Sequence, residues 1–187
     1  MKKLHYILLG IIFASMFACS EADKEMFKGP DSICFRFPQT SDDIDEYRKL
    51  DSSLIFREDT VVYSFAFDME ATERVICIPV QIGGMATGHE RTYMIEVEEY
   101  NGTQAGVHYE ALRKEQVLGA EKTTDSLRVK FFRRDMDKVA RKIGLRIKTG
   151  GDFVEGAQER LFLAIQVSDI LEKPSWWDNW SDCFGTF

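Results

Sequence analysis

Residues that usually carry chemistry are scarce in this chain. Three histidines and four cysteines are spread over 187 residues, and none stands at metal-ligand spacing. There is no CxxC pair, no Cys/His cluster, no HExxH and no GxSxG, which excludes the common structural zinc sites and the familiar hydrolase signatures. Basic residues are outnumbered, 24 Lys and Arg against 31 Asp and Glu, for a net charge of −7. That balance argues against a nucleic-acid partner, which would want a basic face. The longest apolar run, Leu4 to Phe17, falls short of the ~20 residues that cross a bilayer as a helix. No later segment comes close, so no membrane-spanning helix is expected.

What that run does form is a secretory signal. Met1-Lys2-Lys3 supplies a positive start, the apolar stretch follows, and Ala18 is a small residue directly before Cys19. Met16-Phe17-Ala18-Cys19 resembles a loose lipobox. By that resemblance residues 1–18 are a cleaved signal peptide and Cys19 is the lipidated N-terminus, tethering the chain to a membrane. Two or three acyl chains at ~0.8 kcal/mol per buried CH₂ anchor stably where one would not. The alternative is an ordinary cleaved signal with Cys19 nearby. Ser20-Glu21-Ala22-Asp23-Lys24-Glu25 is polar and mostly acidic. It resembles the export signal of surface lipoproteins of Bacteroidota, or else is a solvated tether over residues 19–29. Surface display and a periplasmic-facing position both remain open. Cleavage also removes two of the 24 basic residues, leaving 22 against 31 acidic ones.

The remaining length suffices for one domain with its own core. Beyond Cys19 the cysteines are Cys34, Cys77 and Cys183, an odd number. Cys34 and Cys77 sit in apolar strand-like runs, where two buried thiols are expected; a bridge between them requires adjacent strands.

From Gly29-Pro30 onward apolar and polar residues alternate with period two, the signature of half-buried strands. Ile33, Phe35 and Phe37 form one row; Val61, Tyr63, Phe65 and Phe67 form another. Val75 to Ile82 is nearly all apolar and reads as a central strand. Tyr93/Ile95/Val97, Leu127/Val129/Phe131, Ile143/Leu145/Ile147 and Leu161/Leu163/Ile165/Val167 complete seven strands. Gly83-Gly84 with Gly88, Asn101-Gly102 and Gly150-Gly151 mark turns. The stretch from Thr40 to Asp59 reads as an acidic loop with a helical turn around Ile44 to Leu50. The pattern predicts an all-β fold: an antiparallel β-sandwich of about seven strands over residues 30–170, Ig-like in class, with a short aromatic tail over 171–187.

Gly102-Thr103-Gln104-Ala105-Gly106-Val107-His108-Tyr109 resembles the Gly-Thr-Ala-x-Ala-Gly-x-Asp-Tyr stretch of Calx-beta sandwiches, offset by one residue. Val117-Leu118-Gly119-Ala120 and Ser126-Leu127-Arg128-Val129 resemble the two short strands that follow it there. With the lipobox and the Pro174…Trp176 segment, most of the mature chain resembles an uncharacterised Bacteroidota lipoprotein family. Genes of that family often neighbour SusC/SusD-like outer-membrane glycan- and nutrient-uptake pairs. The resemblance implies an outer-membrane lipoprotein whose partners are the membrane and glycan or SusC/SusD-like proteins. The Asp of the Asp-Tyr pair is His108 here, so calcium binding is not carried over. Family members usually continue past a Gly-x-Tyr-Ser-like turn, so ending at Cys183-Phe184-Gly185-Thr186-Phe187 implies either a naturally short tail or a truncated one.

Gly83-Gly84-Met85-Ala86-Thr87-Gly88-His89 mimics a phosphate loop, but His89 replaces its lysine and a strand follows, so a hairpin turn is expected. Asp42, Asp43, Asp45 and Glu46 lack the alternating ligands and the glycine of an EF-type loop, since Tyr47 and Arg48 intervene. No residue pattern selects a hydrolytic triad or a carboxylate pair among the acids. No catalytic residue, metal ligand or cofactor is therefore assigned. Trp176, Trp177 and Trp180 are candidate glycan-stacking residues, the other reading being that they cap the sandwich. Asp31-Ser32-Ile33, Asp59-Thr60-Val61 and Asp125-Ser126-Leu127 resemble the Asp-Ser/Thr-aliphatic triplet of periplasmic O-glycosylation, making Ser32, Thr60 and Ser126 candidate acceptors at strand entrances. The expected function is a non-enzymatic accessory in glycan or nutrient binding and uptake, or else an adhesin-like protein-interaction module.

Overall fold

The computed structural model describes residues 29–37, 51–57, 59–136 and 138–170. The signal, Cys19, the tether, the acidic cluster at 42–46 with its expected helical turn, and the tryptophan tail lie outside the described residues. Among the described residues ten strands form: β1 (Ser32–Phe35), β2 (Ile55–Arg57), β3 (Thr60–Ser64), β4 (Glu73–Gly83), β5 (Arg91–Tyr100), β6 (Glu115–Leu118), β7 (Thr124–Phe132), β8 (Arg141–Gly151), β9 (Val154–Glu155) and β10 (Phe162–Ser168). They make two sheets, one ordered β7-β4-β1-β9 and the other β2-β3-β10-β8-β5-β6. The protein is an all-β sandwich.

Period-two alternation creates the core. Ile33, Phe35, Ile76, Ile78, Val80, Leu127, Val129 and Phe131 face inward from the first sheet; Ile95, Ile143, Leu145, Ile147, Leu163, Ile165 and Val167 meet them from the second. Each such side chain removed from water contributes on the order of 1.5–3 kcal/mol. β4, the run read as central, is flanked by β7 and β1.

Several expectations need correction. All seven strands form, but pairing is mixed, because β1–β9 and β3–β10 run parallel. Period-two alternation reports which face is buried and is silent on direction. β2 and β9, three and two residues long, are too short to leave a periodic trace, and β2 lies inside the expected 40–59 loop. The Gly83–His89 segment is not a hairpin turn: β4 and β5 belong to different sheets, and the segment carries the chain across between them. Phe67 leaves its expected row because β3 stops at Ser64, whose hydroxyl accepts from Ala66 N–H and starts a 3₁₀ turn; the ring is 74% exposed.

The cysteines differ as well. Both are free thiols, Cys34 half-buried and Cys77 exposed, since each alternates with inward residues and so points off the outer face. β1 and β4 are adjacent, but Cys34 sits opposite Gln81, four residues and ~13 Å along the strand from Cys77, so no bridge forms. Burial still raises the Cys34 thiol pKa above its ordinary value and keeps it protonated.

Equilibrium urea unfolding should separate the two kinds of strand position. Leu145→Ala is expected to cost about 2–5 kcal/mol through a core cavity, whereas Cys77→Ser should stay within about 0.5 kcal/mol.

Candidate functional site

The Gly102–Tyr109 stretch follows β5. Asn101 and Gly102 both have positive φ, 55° and 67°, and Thr103 N–H donates to Tyr100 O at 2.9 Å. This is the geometry of a type I′ turn, which Asn-Gly favours. The Thr103 side chain, 3% exposed, donates to Tyr100 O and accepts from Lys142 N–H. Glu99 then receives two donors, Ala105 N–H at 2.8 Å and Tyr109 OH at 2.9 Å.

His108 is 4% exposed and its Nδ1 accepts from Gln104 N–H at 3.0 Å. An acceptor Nδ1 requires a neutral ring with its proton on Nε2. His108 thereby performs a backbone-capping task within the turn, the kind an aspartate oxygen can also perform. Burial first, and Arg141 second, lower its pKa below the ordinary histidine value. The next residues reach the opposite sheet: Phe132 N–H donates to His108 O at 2.9 Å and Glu110 N–H to Lys130 O at 2.8 Å. The stretch is a clasp between the two sheets.

Residues 110–114 then return to the edge of β5, where Ile95 N–H donates to Lys114 O at 2.7 Å. Two open clefts flank this crossing segment. One, of about 540 Å³, lies against β5 and is lined by Met94, Val97, Tyr109, Leu112, Lys114 and Lys148. The other, of about 410 Å³, lies between β6 and β7 and includes Val75, Arg113, Val117, Arg128 and Lys130. Lys130 pairs with Glu73 at 2.7 Å. The guanidinium groups of Arg113 and Arg128 make no hydrogen bond or ion pair among the described residues. Because Lys130 O and Phe132 N–H point away from β4, the even-numbered residues of β7 direct their backbone outward. From Arg128 back to Thr124 no strand lies beside that edge among the described residues. These clefts were not legible in the sequence, since lining an edge leaves no periodic or motif signature.

The three candidate acceptor triplets do not converge. Ser32 opens β1 half-buried, with its hydroxyl 3.4 Å from Gly83 O. Thr60 opens β3, donating to Asp59. Ser126 is the third residue of β7, opposite Pro79, and is exposed. Two of the three aspartates act across the fold. Asp31 pairs with Arg91 at 2.6 Å; Arg91 is buried, stacks on the Phe153 ring and leaves its Nε without a partner. Asp125 accepts from Tyr93 OH at 2.7 Å, and burial with that carboxylate raises the Tyr93 pKa. His89 is exposed in the crossing segment after β4. Among the described residues no three His, Cys, Asp or Glu side chains gather where a metal could sit.

A family profile described as a domain of unknown function (DUF4843) matches residues 27–187. The chain belongs to the DUF4843 family. Its fold is similar to the apo form of the Calx CBD1 domain, with 8% identity, a TM-score of 0.48, and 77% of this chain and 100% of that one covered. It is also similar to the calcium-binding domain CBD12 of CALX1.1, at 11% identity and a TM-score of 0.44, covering 62% of this chain and 45% of that one. No curated protein matches the sequence.

A buried histidine with a lowered pKa is fully stabilising above its unfolded pKa of about 6.5. As pH falls from there toward the folded value, the unfolded state binds more protons and stability declines. Urea melts between neutral and mildly acidic pH should show this slope, and His108→Gln should flatten it.

Proposed function

We propose that this DUF4843 protein is a non-enzymatic binding module: a lipid-anchored accessory, held at the outer membrane through Cys19, for glycan or nutrient uptake beside SusC/SusD-like proteins. Two features support this reading. The signal-like start and Met16-Phe17-Ala18-Cys19 supply the anchor. The 410 Å³ cleft, open along the β7 edge, combines apolar Val75 and Val117 with the guanidiniums of Arg113 and Arg128, which have no partner among the described residues, and that cleft carries the reading. An open, shallow site with hydrogen-bond forks and apolar patches suits one stretch of an extended polymer better than an engulfed small molecule. The polar groups that could have made a reactive centre are committed to the scaffold. His108 caps a turn, Tyr93 and Tyr109 donate to carboxylates, and Arg91 holds Asp31.

The Thr124–Arg128 edge of β7, beside which no strand lies among the described residues, favours a second reading, an adhesin-like module that receives a partner's strand by sheet extension. In either case Ser126, the most exposed of the three candidate acceptors, is the first place to look for an O-linked sugar.

Native gels containing a panel of host and plant polysaccharides discriminate the two readings. Retardation by one polymer, abolished in an Arg113→Ala/Arg128→Ala variant whose melting is unchanged, is the expected result. Absence of retardation by every polymer would turn the search toward a protein partner.

A further inference from the structure

Acids outnumber bases in this chain, 31 to 24, so a guanidinium has a surplus of partners within reach. Most of the described arginines take one. Arg74 holds Asp51, Arg91 holds Asp31, Arg133 holds Asp169 and Arg146 holds Glu98. Arg141 donates to the carbonyls of Asn101 and Asp135, and Arg36, Arg57 and Arg160 are engaged as well. Among the described residues the exceptions are Arg113, Arg128 and Arg134. Two of these three line one cleft, the opening of about 410 Å³ between β6 and β7. Glu110 and Glu115 line it too, yet neither forms an ion pair with either guanidinium among the described residues.

Both arginines stand on backbone that is fixed in advance. Arg128 lies in the middle of β7, opposite Cys77, on a strand paired with β4 along its whole length. Arg113 lies in the crossing segment, which Glu110 N–H ties to Lys130 O at one end and Lys114 O ties to Ile95 N–H at the other. The carbonyl of Arg113 itself accepts from the Gln116 side chain at 2.7 Å. A site whose backbone is already ordered loses less freedom when a ligand arrives. The third cation of the cleft, Lys130, is neutralised by Glu73 at 2.7 Å. Apolar ground lies between, from Val75, Leu112 and the 52% exposed Val117.

We propose that this cleft takes a carboxylate-bearing glycan, a polymer containing uronic acid, with Arg113 and Arg128 as the carboxylate-binding residues. The inference rests on the glycan-binding reading above and adds the charge of the ligand. A guanidinium meets a carboxylate through two parallel N–H···O bonds, stronger than bonds between neutral groups. Two such forks left open in an acid-rich chain are complementary to a carboxylate supplied from outside. Glu110 and Glu115 are acceptors for sugar hydroxyls. They also repel a ligand whose charge is densely packed, so the cleft suits single carboxylates spaced by neutral, hydroxylated stretches. Val75, Leu112 and Val117 offer contact to the C–H faces of the rings. Arg134 takes no part, since it lines a separate hollow with Thr72 and Phe132.

Binding of the chain from Ser20 onward to immobilised hyaluronan and polygalacturonate, each beside its carboxyl-reduced form, tests this. At least one native polymer should bind, and its carboxyl-reduced form should not. Arg113→Ala and Arg128→Ala should each weaken binding about tenfold or more. Arg128→Lys should recover only part of that loss, because it keeps the charge without the fork. Arg134→Ala should bind as the wild type does, with unchanged melting in every variant. Equal binding of native and carboxyl-reduced polymer would overturn the carboxylate inference and leave the accessory reading standing. Equal or tighter binding of dextran sulfate, or an equal loss in Arg134→Ala, would reduce the effect to general cation attraction and overturn it too. Retention of polyglutamate but of no glycan, or of no polymer at all, would overturn both the inference and the glycan reading beneath it.

Discussion

The Glu99 carboxylate, with Ala105 N–H and Tyr109 OH bonded to it, is the interaction on which the rest of the arrangement depends. It folds the chain back on itself immediately after β5, so that His108, Tyr109 and Glu110 arrive at the edge of β7 in the opposite sheet. Tyr109 buries its ring against Phe131 at a centroid distance of 6.1 Å while its hydroxyl stays bonded. Once those residues are fixed on one sheet and Lys114 on the other, residues 110–114 must span the gap between them. The two clefts exist because of that span.

The same economy governs the polar interior. Burying Arg91 requires Asp31, and burying the Tyr93 hydroxyl requires Asp125, because an unpaired polar group inside the sandwich would cost more than the pair does. Burial and a neighbouring carboxylate raise the pKa of both Tyr93 and Tyr109, so each stays a protonated donor through the physiological range.

Much of this fold was legible from the alternation of inward and outward residues, as in Ile33/Phe35 or Ile143/Leu145/Ile147, because period two is imposed by the pleat itself. Strand direction was not legible, since the parallel pairing of β3 with β10 depends on contacts between residues about a hundred positions apart. Nor was the sheet to which a strand belongs: Gly83-Gly84 marks the end of β4 equally well for a hairpin and for a crossing. Cys77 looked like a core residue because its neighbours Ile76 and Ile78 are apolar, yet alternation puts it on the outer face. For the site, the resemblance at Gly102–Tyr109 located the clasp, and His108 in place of aspartate marked where its chemistry departs. Arg113, Arg128 and Arg133 carried no signal, because their positions at the cleft and beside the Asp68–Ala71 turn arise only when distant elements meet.

Residues 103–109 form a structural clasp and not a mobile ligand loop. Amide hydrogen exchange measures this directly, since protection reports the free energy of local opening. The amides of Thr103, Gln104, Gly106 and His108 are expected to exchange as slowly as those of β5 and β8, far more slowly than the 84–90 crossing. Exchange of the clasp at the rate of that crossing would contradict it.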